Sequence, residues 1–267
     1  MRWFVLLGVL GGCDTVFSVD HVGPTRDDAR GADAALDAAP GCWSAFQQDH
    51  DEDGDGRMDG CDNCPAVFNE QQEDDDGDQV GNACDPHPGM PDRIVYFNGF
   101  ESTARGFTTR NGAWTISNDT FVQSDVARAY AFLEGEFTGA TVEVRLQGVT
   151  QPATGADHAG AYVAATAVDL DPPHGLRCYE AKVAGDSDQS VIENVGTTQV
   201  TILPIDGPKP FYMRLSVQGA NSRPLCRTSR GNGDVDVTFS NLVAQTGSIA
   251  LETTNSACAF LSVTVMN

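Results

Sequence analysis

Basic residues are scarce in this chain. Sixteen Lys and Arg stand against 38 Asp and Glu, for a formal net charge of −22 at pH 7. That balance excludes nucleic acid as an expected partner, because phosphate would be repelled. Long apolar runs are also missing: the N-terminal run Trp3–Leu10 is too short to cross a bilayer. No long stretch carries a 3.6-residue apolar period, which excludes a helical bundle. Residues 49–85 have little apolar material in or beside them, with Trp43, Phe46, Val67 and Phe68 among the larger side chains, so that part of the chain needs something other than a core of its own.

What those residues do have is aspartate in phase. The stretch 49–85 holds fourteen acidic side chains and one Arg, so −13 of the net charge lies there. Asp51, Asp53, Asp55, Gly56, Asp59 and Asp62 follow the ligand spacing of a twelve-position calcium loop. Three carboxylates from alternate positions can converge on one hard cation. Arg57 would add its backbone carbonyl at position seven, and Asp62 would close the loop. The pattern then repeats with Asp74, Asp76 and Asp78, the carbonyl of Val80, and Asp85. Gln79 stands where the position-six glycine is expected, and Asn82 stands at position nine. An EF-hand would need an exiting helix, but Cys64-Pro65 follows directly, and proline cannot sit in a helix interior. A helix-free calcium ribbon is expected.

Eight cysteines in a chain of this size point to an oxidising compartment. Cys42 to Cys61 and Cys64 to Cys84 are near-equal intervals laid end to end, which suggests one disulfide per loop. Cys61-x-x-Cys64 has no matching second pair, so zinc is not expected. Cys178 and Cys226 lie in strand-like runs and are expected to bond. Cys258, on a strand face with Phe260, is expected as a buried thiol.

The run from Asp51 through Asp62-Asn63-Cys64-Pro65, Asn69 and Gln72 to Asp74–Asp85 resembles a thrombospondin type-3 repeat pair, over about 37 of 267 residues. The resemblance implies Ca2+ as the cofactor, calcium-dependent folding, and disulfides that join successive repeats. At the N-terminus, Leu10-Gly11-Gly12-Cys13 resembles a bacterial lipoprotein signal. That resemblance implies removal of residues 1–12 and acylation of Cys13, which anchors the chain to a membrane of the cell envelope, on the periplasmic or the outer, extracellular side. Residues 14–41 read as a flexible tether with a reach of about 30 Å.

From about residue 92 the aspartates thin out, and short β-type runs recur roughly every ten residues. Val142, Val144 and Leu146 point one way; Glu143 and Arg145 point the other. Such runs predict a mainly β fold with a C-terminal β-sandwich, or jelly roll, over 92–267 behind a calcium segment at 42–91. Gly112-Ala113-Trp114-Thr115-Ile116, Ala159-Gly160-Ala161-Tyr162-Val163, Tyr212-Met213-Arg214-Leu215 and Gly247-Ser248-Ile249-Ala250-Leu251 resemble the concanavalin-like jelly roll of laminin-G-type domains.

A jelly-roll glycosidase would need two close carboxylates. The laminarinase-type E-x-D-x-x-E strand is absent. Glu134 and Glu136 are separated by Gly135, which suggests a turn. His158 and His174 read as loop residues. The chain is therefore not expected to be an enzyme. Trp114, Tyr130, Tyr162, Tyr179 and Tyr212 are candidates to stack on a sugar, and Asp169 and Asp171 are candidates for a further calcium. The expectation is a calcium-binding, lipid-anchored surface protein. In it the ribbon is a rigid spacer that presents an adhesion or recognition module to a glycan or surface protein. The alternative is a carbohydrate-active enzyme or glycan-binding module.

Overall fold

The computed structural model describes residues 42–44, 47, 49–125, 128–150, 157–166, 174–182, 188–194, 197–202, 211–216, 223–230, 233–238 and 246–267. They belong to one compact unit, Pro40–Asn267. The acylation candidate Cys13, the tether, and the pair Asp169 and Asp171 lie outside the described residues.

In chain order the strands are β1 (Ile94–Asn98), β2 (Phe107–Arg110), β3 (Trp114–Ile116), β4 (Phe121–Gln123) and β5 (Ala129–Thr138). There follow β6 (Thr141–Thr150), β7 (Asp157–Thr166), β8 (His174–Lys182), β9 (Asp188–Asn194) and β10 (Thr197–Ile202). The last are β11 (Phe211–Ser216), β12 (Leu225–Arg230), β13 (Gly233–Thr238), β14 (Thr246–Thr254) and β15 (Ala257–Met266). Residues 42–92 carry one 3-10 turn, Asp59–Cys61, and no strand among the described residues.

The strands form two antiparallel sheets. Sheet A runs β13-β12-β11-β6-β15-β4-β3, with β1 beside β15; sheet B runs β10-β9-β8-β7-β14-β5-β2. The protein is a mainly β, disulfide-stapled jelly-roll sandwich. Its core takes alternate residues from both sheets. Val142, Val144, Leu146, Met213, Leu215, Phe260, Val263 and Val265 come from sheet A, and Leu133, Leu176, Ile192, Ile249 and Leu251 from sheet B. Cys178 of β8 bonds Cys226 of β12, 48 residues on, and so ties the two sheets together. Chain entropy alone makes such a closure worth about 4 kcal/mol. Cys258 is buried on β15.

Two local expectations are corrected. Gly135 lies inside β5, and the partner strand β14 takes up the irregularity with a register shift between Gly247 and Ile249. A Cβ at Gly135 would stand 2.8 Å from the Phe137 ring, so glycine there lets Phe137 fold back. His158 and His174 sit on β7 and β8 rather than in loops. The short strands β2 and β4 are too brief to show an alternation in the sequence.

The acidic ribbon covers the outer face of sheet A along β1, β15, β6 and β11, while Arg227 and Asp236 on β12 and β13 stay partly exposed on that face. Cys64, Ala66, Val80 and Cys84 of the ribbon share a buried cluster with Ile94 and Phe97 of β1 and Met266 of β15; Trp43 and Val67 pack against it. Ions and disulfides thus do not have to replace a core outright, since the ribbon borrows one from the sandwich. The polar outward set of β6 and β11 completes the joint. Arg145 donates to the Ala66 carbonyl (3.2 Å) and lies 3.9 Å from Glu52. Arg214 pairs with Glu143 and donates to the Tyr212 hydroxyl (2.9 Å) and to the Cys84 carbonyl (2.7 Å). Burial, then the Glu143 charge, hold the Tyr212 hydroxyl well above its ordinary range.

Arg214→Ala strands the Glu143 carboxylate, which is 3 % exposed, without its cation. We expect a loss of about 3–5 kcal/mol in thermal unfolding and new protease cleavage within residues 42–92. Unchanged melting and unchanged cleavage would contradict the joint.

Candidate metal centre

The two acidic loops are built by the same set of backbone hydrogen bonds. Oδ1 of Asp51 accepts from Gly54 N–H (2.8 Å), and its Oδ2 accepts from Gly56 N–H (3.0 Å). Asp74 does the same with Gly77 (2.8 Å) and Gln79 (2.9 Å). Asp55 and Asp78 each accept from the amide two residues on, Arg57 (2.8 Å) and Val80 (2.7 Å). Asp62 and Asp85 repeat this with Cys64 and His87, both at 2.7 Å. These Asx turns curl the chain so that alternate carboxylates face one point. Asp51, Asp53 and Asp55 each bring an oxygen to within 4.8 Å of the others, and so do Asp74, Asp76 and Asp78.

The curl demands left-handed backbone. Gly54, Gly56 and Gly77 have φ of 77°, 93° and 78°. Gln79, in the position matching Gly56, is held at φ 80° with its side chain exposed. Gly81 serves a different need. A Cβ there would meet Asn63 Oδ1 at 2.4 Å and Cys64 Sγ at 2.8 Å, so it allows the second loop to close on the first.

The remaining predicted ligands divide. Asp62 is 1 % exposed; its Oδ1 also accepts from Gln72 Nε2 (2.8 Å), while its Oδ2 is buried with no hydrogen-bond partner. Asp53 Oδ2 is likewise buried and without a partner. Burial, then neighbouring carboxylates, push Asp53 up to about 7; burial pushes Asp62 up to about 6. Asp59 stands apart from the triad. Its Oδ2 takes His50 Nδ1 (2.8 Å) and its Oδ1 takes the Glu52 amide (2.8 Å). The hydrogen bond to Asp59 raises His50 to about 9. Burial raises Glu52 to about 8.

Two supports were given no bonding role by the sequence, Gln72 having entered only as part of the repeat pattern. Gln72 Nε2 lies within reach of both Asp55 Oδ2 (3.2 Å) and Asp62 Oδ1, and Gln72 also binds the Asn63 amide through Oε1 (3.1 Å). It knots the first loop to the start of the second. Residues 85–92 cap the second loop: Gly89 N–H donates to Asp76 Oδ2 (2.8 Å), and Asp92 N–H donates to Asp78 Oδ2. His87 Nδ1 is paired with Asp92 (2.9 Å). Proline at 86, 88 and 91 hid this cap, because it reads as a linker. The pairs Cys42–Cys61 and Cys64–Cys84 close the two loops.

A divalent, oxygen-seeking cation fits this donor set. Six to eight oxygens at about 2.3–2.6 Å are what calcium takes, and two buried carboxylate oxygens in the first loop have no other partner. The stacking candidates of the sandwich fit a ligand less well. Tyr130 is fully buried, and Trp114 packs on Phe121 (4.7 Å) and Phe260 (5.9 Å). Tyr212 is held at the ribbon joint, and the side chain of Tyr162 lies outside the described residues. Tyr179 donates to Glu193 (3.1 Å), and burial pushes its hydroxyl up to about 12. Arg177 lies over the Tyr179 ring and holds both Glu193 (2.8 Å) and the buried Glu252 (3.0 Å).

No family model matches the chain, and no curated protein matches it. Among solved structures it is similar to the endo-β-1,3-glucanase from Pyrococcus furiosus: 12% identity over 67% of this chain and 95% of that one, TM-score 0.49. It is similar to the laminarinase catalytic domain from Thermotoga maritima MSB8 at 9% identity, over 66% of this chain and 98% of that one, TM-score 0.49. Carbohydrate-binding module CBM66 from Bacillus subtilis matches at 16% identity, over 58% of this chain and 91% of that one, TM-score 0.43.

Gln79→Gly relieves a positive φ without removing a buried contact. The gain should be about 0.5–1 kcal/mol, the steric relief less the entropy that glycine loses. Thermal melts would read it as a rise of about 1–4 °C; a fall would contradict the strain.

Proposed function

We propose that this chain is a calcium-stabilised recognition module of the bacterial cell envelope, binding rather than catalytic. Acylated Cys13 would anchor it, and residues 14–41 would tether it. Residues 42–91, a type-3-like repeat pair, would hold calcium, and the sandwich from residue 92 would present the binding surface. The observation that carries the calcium reading is the pair of buried carboxylate oxygens without partners, Asp53 Oδ2 and Asp62 Oδ2, at predicted ligand positions. An uncompensated buried acceptor is costly, and a bound cation removes that cost while cancelling the repulsion within each triad.

The ribbon acts as a brace on sheet A, not as a spacer held clear of the sandwich, because the two share the cluster around Phe97 and the joints at Arg145 and Arg214. Five carboxylates of the sandwich support a binding role. Glu143 is neutralised by Arg214, Glu193 and Glu252 are both held by Arg177, and Glu134 and Glu136 are exposed on β5. A glycan is the favoured partner class over a surface protein, because the described surface includes a groove lined by Trp43 and Tyr96 together with Arg93 and Arg105.

Calcium at a hundred times its Kd should stabilise the whole unit by about 2.7 kcal/mol per site, or about 5–10 °C in Tm. EDTA should reverse the gain, and Asp53→Asn should halve the stoichiometry in calorimetric titration. Identical melts in calcium and EDTA would sink the calcium reading.

Proton and cation compete for the same oxygens. Asp53 and Asp62 must lose protons to bind, so calcium affinity should fall as pH drops through the interval from about 7 to about 6. Titrations across that interval would show it; flat affinity would place the ion elsewhere. A glycan screen of the calcium-loaded chain tests the recognition reading, and the absence of saturable binding to any sugar class would remove it.

A further inference from the structure

A groove runs along β1 where the ribbon meets the sandwich. Its larger part, about 490 Å³, is lined by Trp43, Arg93, Ile94, Val95, Tyr96 and Arg105. A second part of about 340 Å³ shares Trp43, Arg93 and Ile94 and reaches Gln79 of the second acidic loop. Among the described residues no acidic side chain lines either part. In a chain with a net charge of −22, a concavity walled by two arginines and two aromatic rings stands out from its surroundings.

Its described walls are held in place, and among the described lining residues Arg93 is the exposed cation. Trp43 Nε1–H donates to the Asp62 carbonyl (2.9 Å), which ties the indole to the first loop. The Tyr96 hydroxyl donates to the Arg105 carbonyl. The Arg105 guanidinium lies 5.9 Å from the Tyr96 ring centre and donates to the Phe97 carbonyl (3.4 Å). Arg93 is exposed, and the nearest acid in sequence, Asp92, is engaged by His87. The adjoining cavity beyond Arg105, about 40 Å³, contains Glu101 and is far too small for a ligand.

We propose that this groove binds a carboxylate-bearing sugar, a uronate residue of an anionic polysaccharide. The inference rests on the glycan reading above and gives it a place and a charge. Arg93 would take the carboxylate as a charge-assisted pair, and Trp43 would offer the sugar an apolar face. The volume falls in the ~300–1,000 Å³ range of small-ligand sites. An acidic peptide is the competing occupant, and it would be expected to add a strand to β1. That edge is partly filled, because the Gln47 amide lies 2.9 Å from the Phe97 carbonyl and 3.0 Å from Gly99 N, and Arg105 takes the same carbonyl.

The test is calorimetric titration of the full calcium-loaded chain with a galacturonic acid trimer, the neutral galactose trimer and hexaglutamate, repeated with Arg93→Gln. The acidic trimer should bind saturably, with the neutral trimer and the variant each weaker by about tenfold or more. Arg93 is exposed, so the variant should melt with the wild type. Equal binding of acidic and neutral trimers would overturn the groove assignment and leave the glycan reading standing. Binding of hexaglutamate alone, lost in Arg93→Gln, would overturn both. Acidic-trimer binding lost in EDTA but intact in Arg93→Gln would assign the sugar to loop-bound calcium and overturn the groove. No binding by any of the three probes would also remove it.

Discussion

Arg214 stands where the two halves of the molecule meet, and the arrangement of both depends on how its charge is met. It projects from β11 on the face of sheet A turned from the core. Glu143 of the neighbouring strand neutralises it, and the Cys84 carbonyl at the end of the ribbon takes a further donor. A guanidinium can serve both at once because its donors form a rigid fork. A desolvated ion pair adds little net stability of itself, yet losing either member is severe. The pair therefore acts as a register pin: the ribbon docks where Cys84 can reach Arg214 and where Ala66 can reach Arg145. Phe97, Met266 and Val80 then close the space between.

That docking changes what the acidic loops can do. A ribbon free in solvent would respond to a cation only locally. Here Asp62 is bonded to the Cys64 amide, Cys64 is part of the buried cluster shared with β1 and β15, and Trp43 is bonded to the Asp62 carbonyl. Asp62 is thus joined to the sandwich surface by a continuous set of contacts. Gln72 adds a lateral link, since one side-chain amide serves carboxylates of the first loop at the threshold of the second. The loops are chemically alike but unequal. The first is buried enough to leave carboxylate oxygens without partners, whereas the second is more exposed and bears a non-glycine residue in left-handed backbone at Gln79.

Much of this was legible in the sequence. Alternate aspartates with glycines at set offsets are a local code, because the Asx turns they form close within a few residues. The cysteine intervals are nearly as local. Long alternating strands such as β6 and β11 carry their own period. The sequence reading failed where the deciding contact was distant. Gly135 read as a turn because nothing near it reveals that β14 would absorb the slip. Tyr130 and Trp114 read as possible sugar platforms, because an aromatic on a strand shows no sign of which side is covered. The groove aromatics, Trp43 and Tyr96, lie 53 residues apart and meet only through the docking.

The sequence by itself determined the local chemistry: the spacing of the aspartates that form the Asx turns, the cysteine intervals that close the two loops, and the strand periods that make a sandwich. These follow from interactions over short stretches of chain, where chain geometry leaves few choices. Only the tertiary structure decided that the ribbon lies against sheet A, that Glu143 and Arg145 face it rather than solvent, and that a cationic groove opens along β1. Those outcomes depend on matching two surfaces whose residues are far apart in the chain, and burial of Arg214 against Glu143 and a backbone carbonyl has no counterpart in any short stretch of sequence.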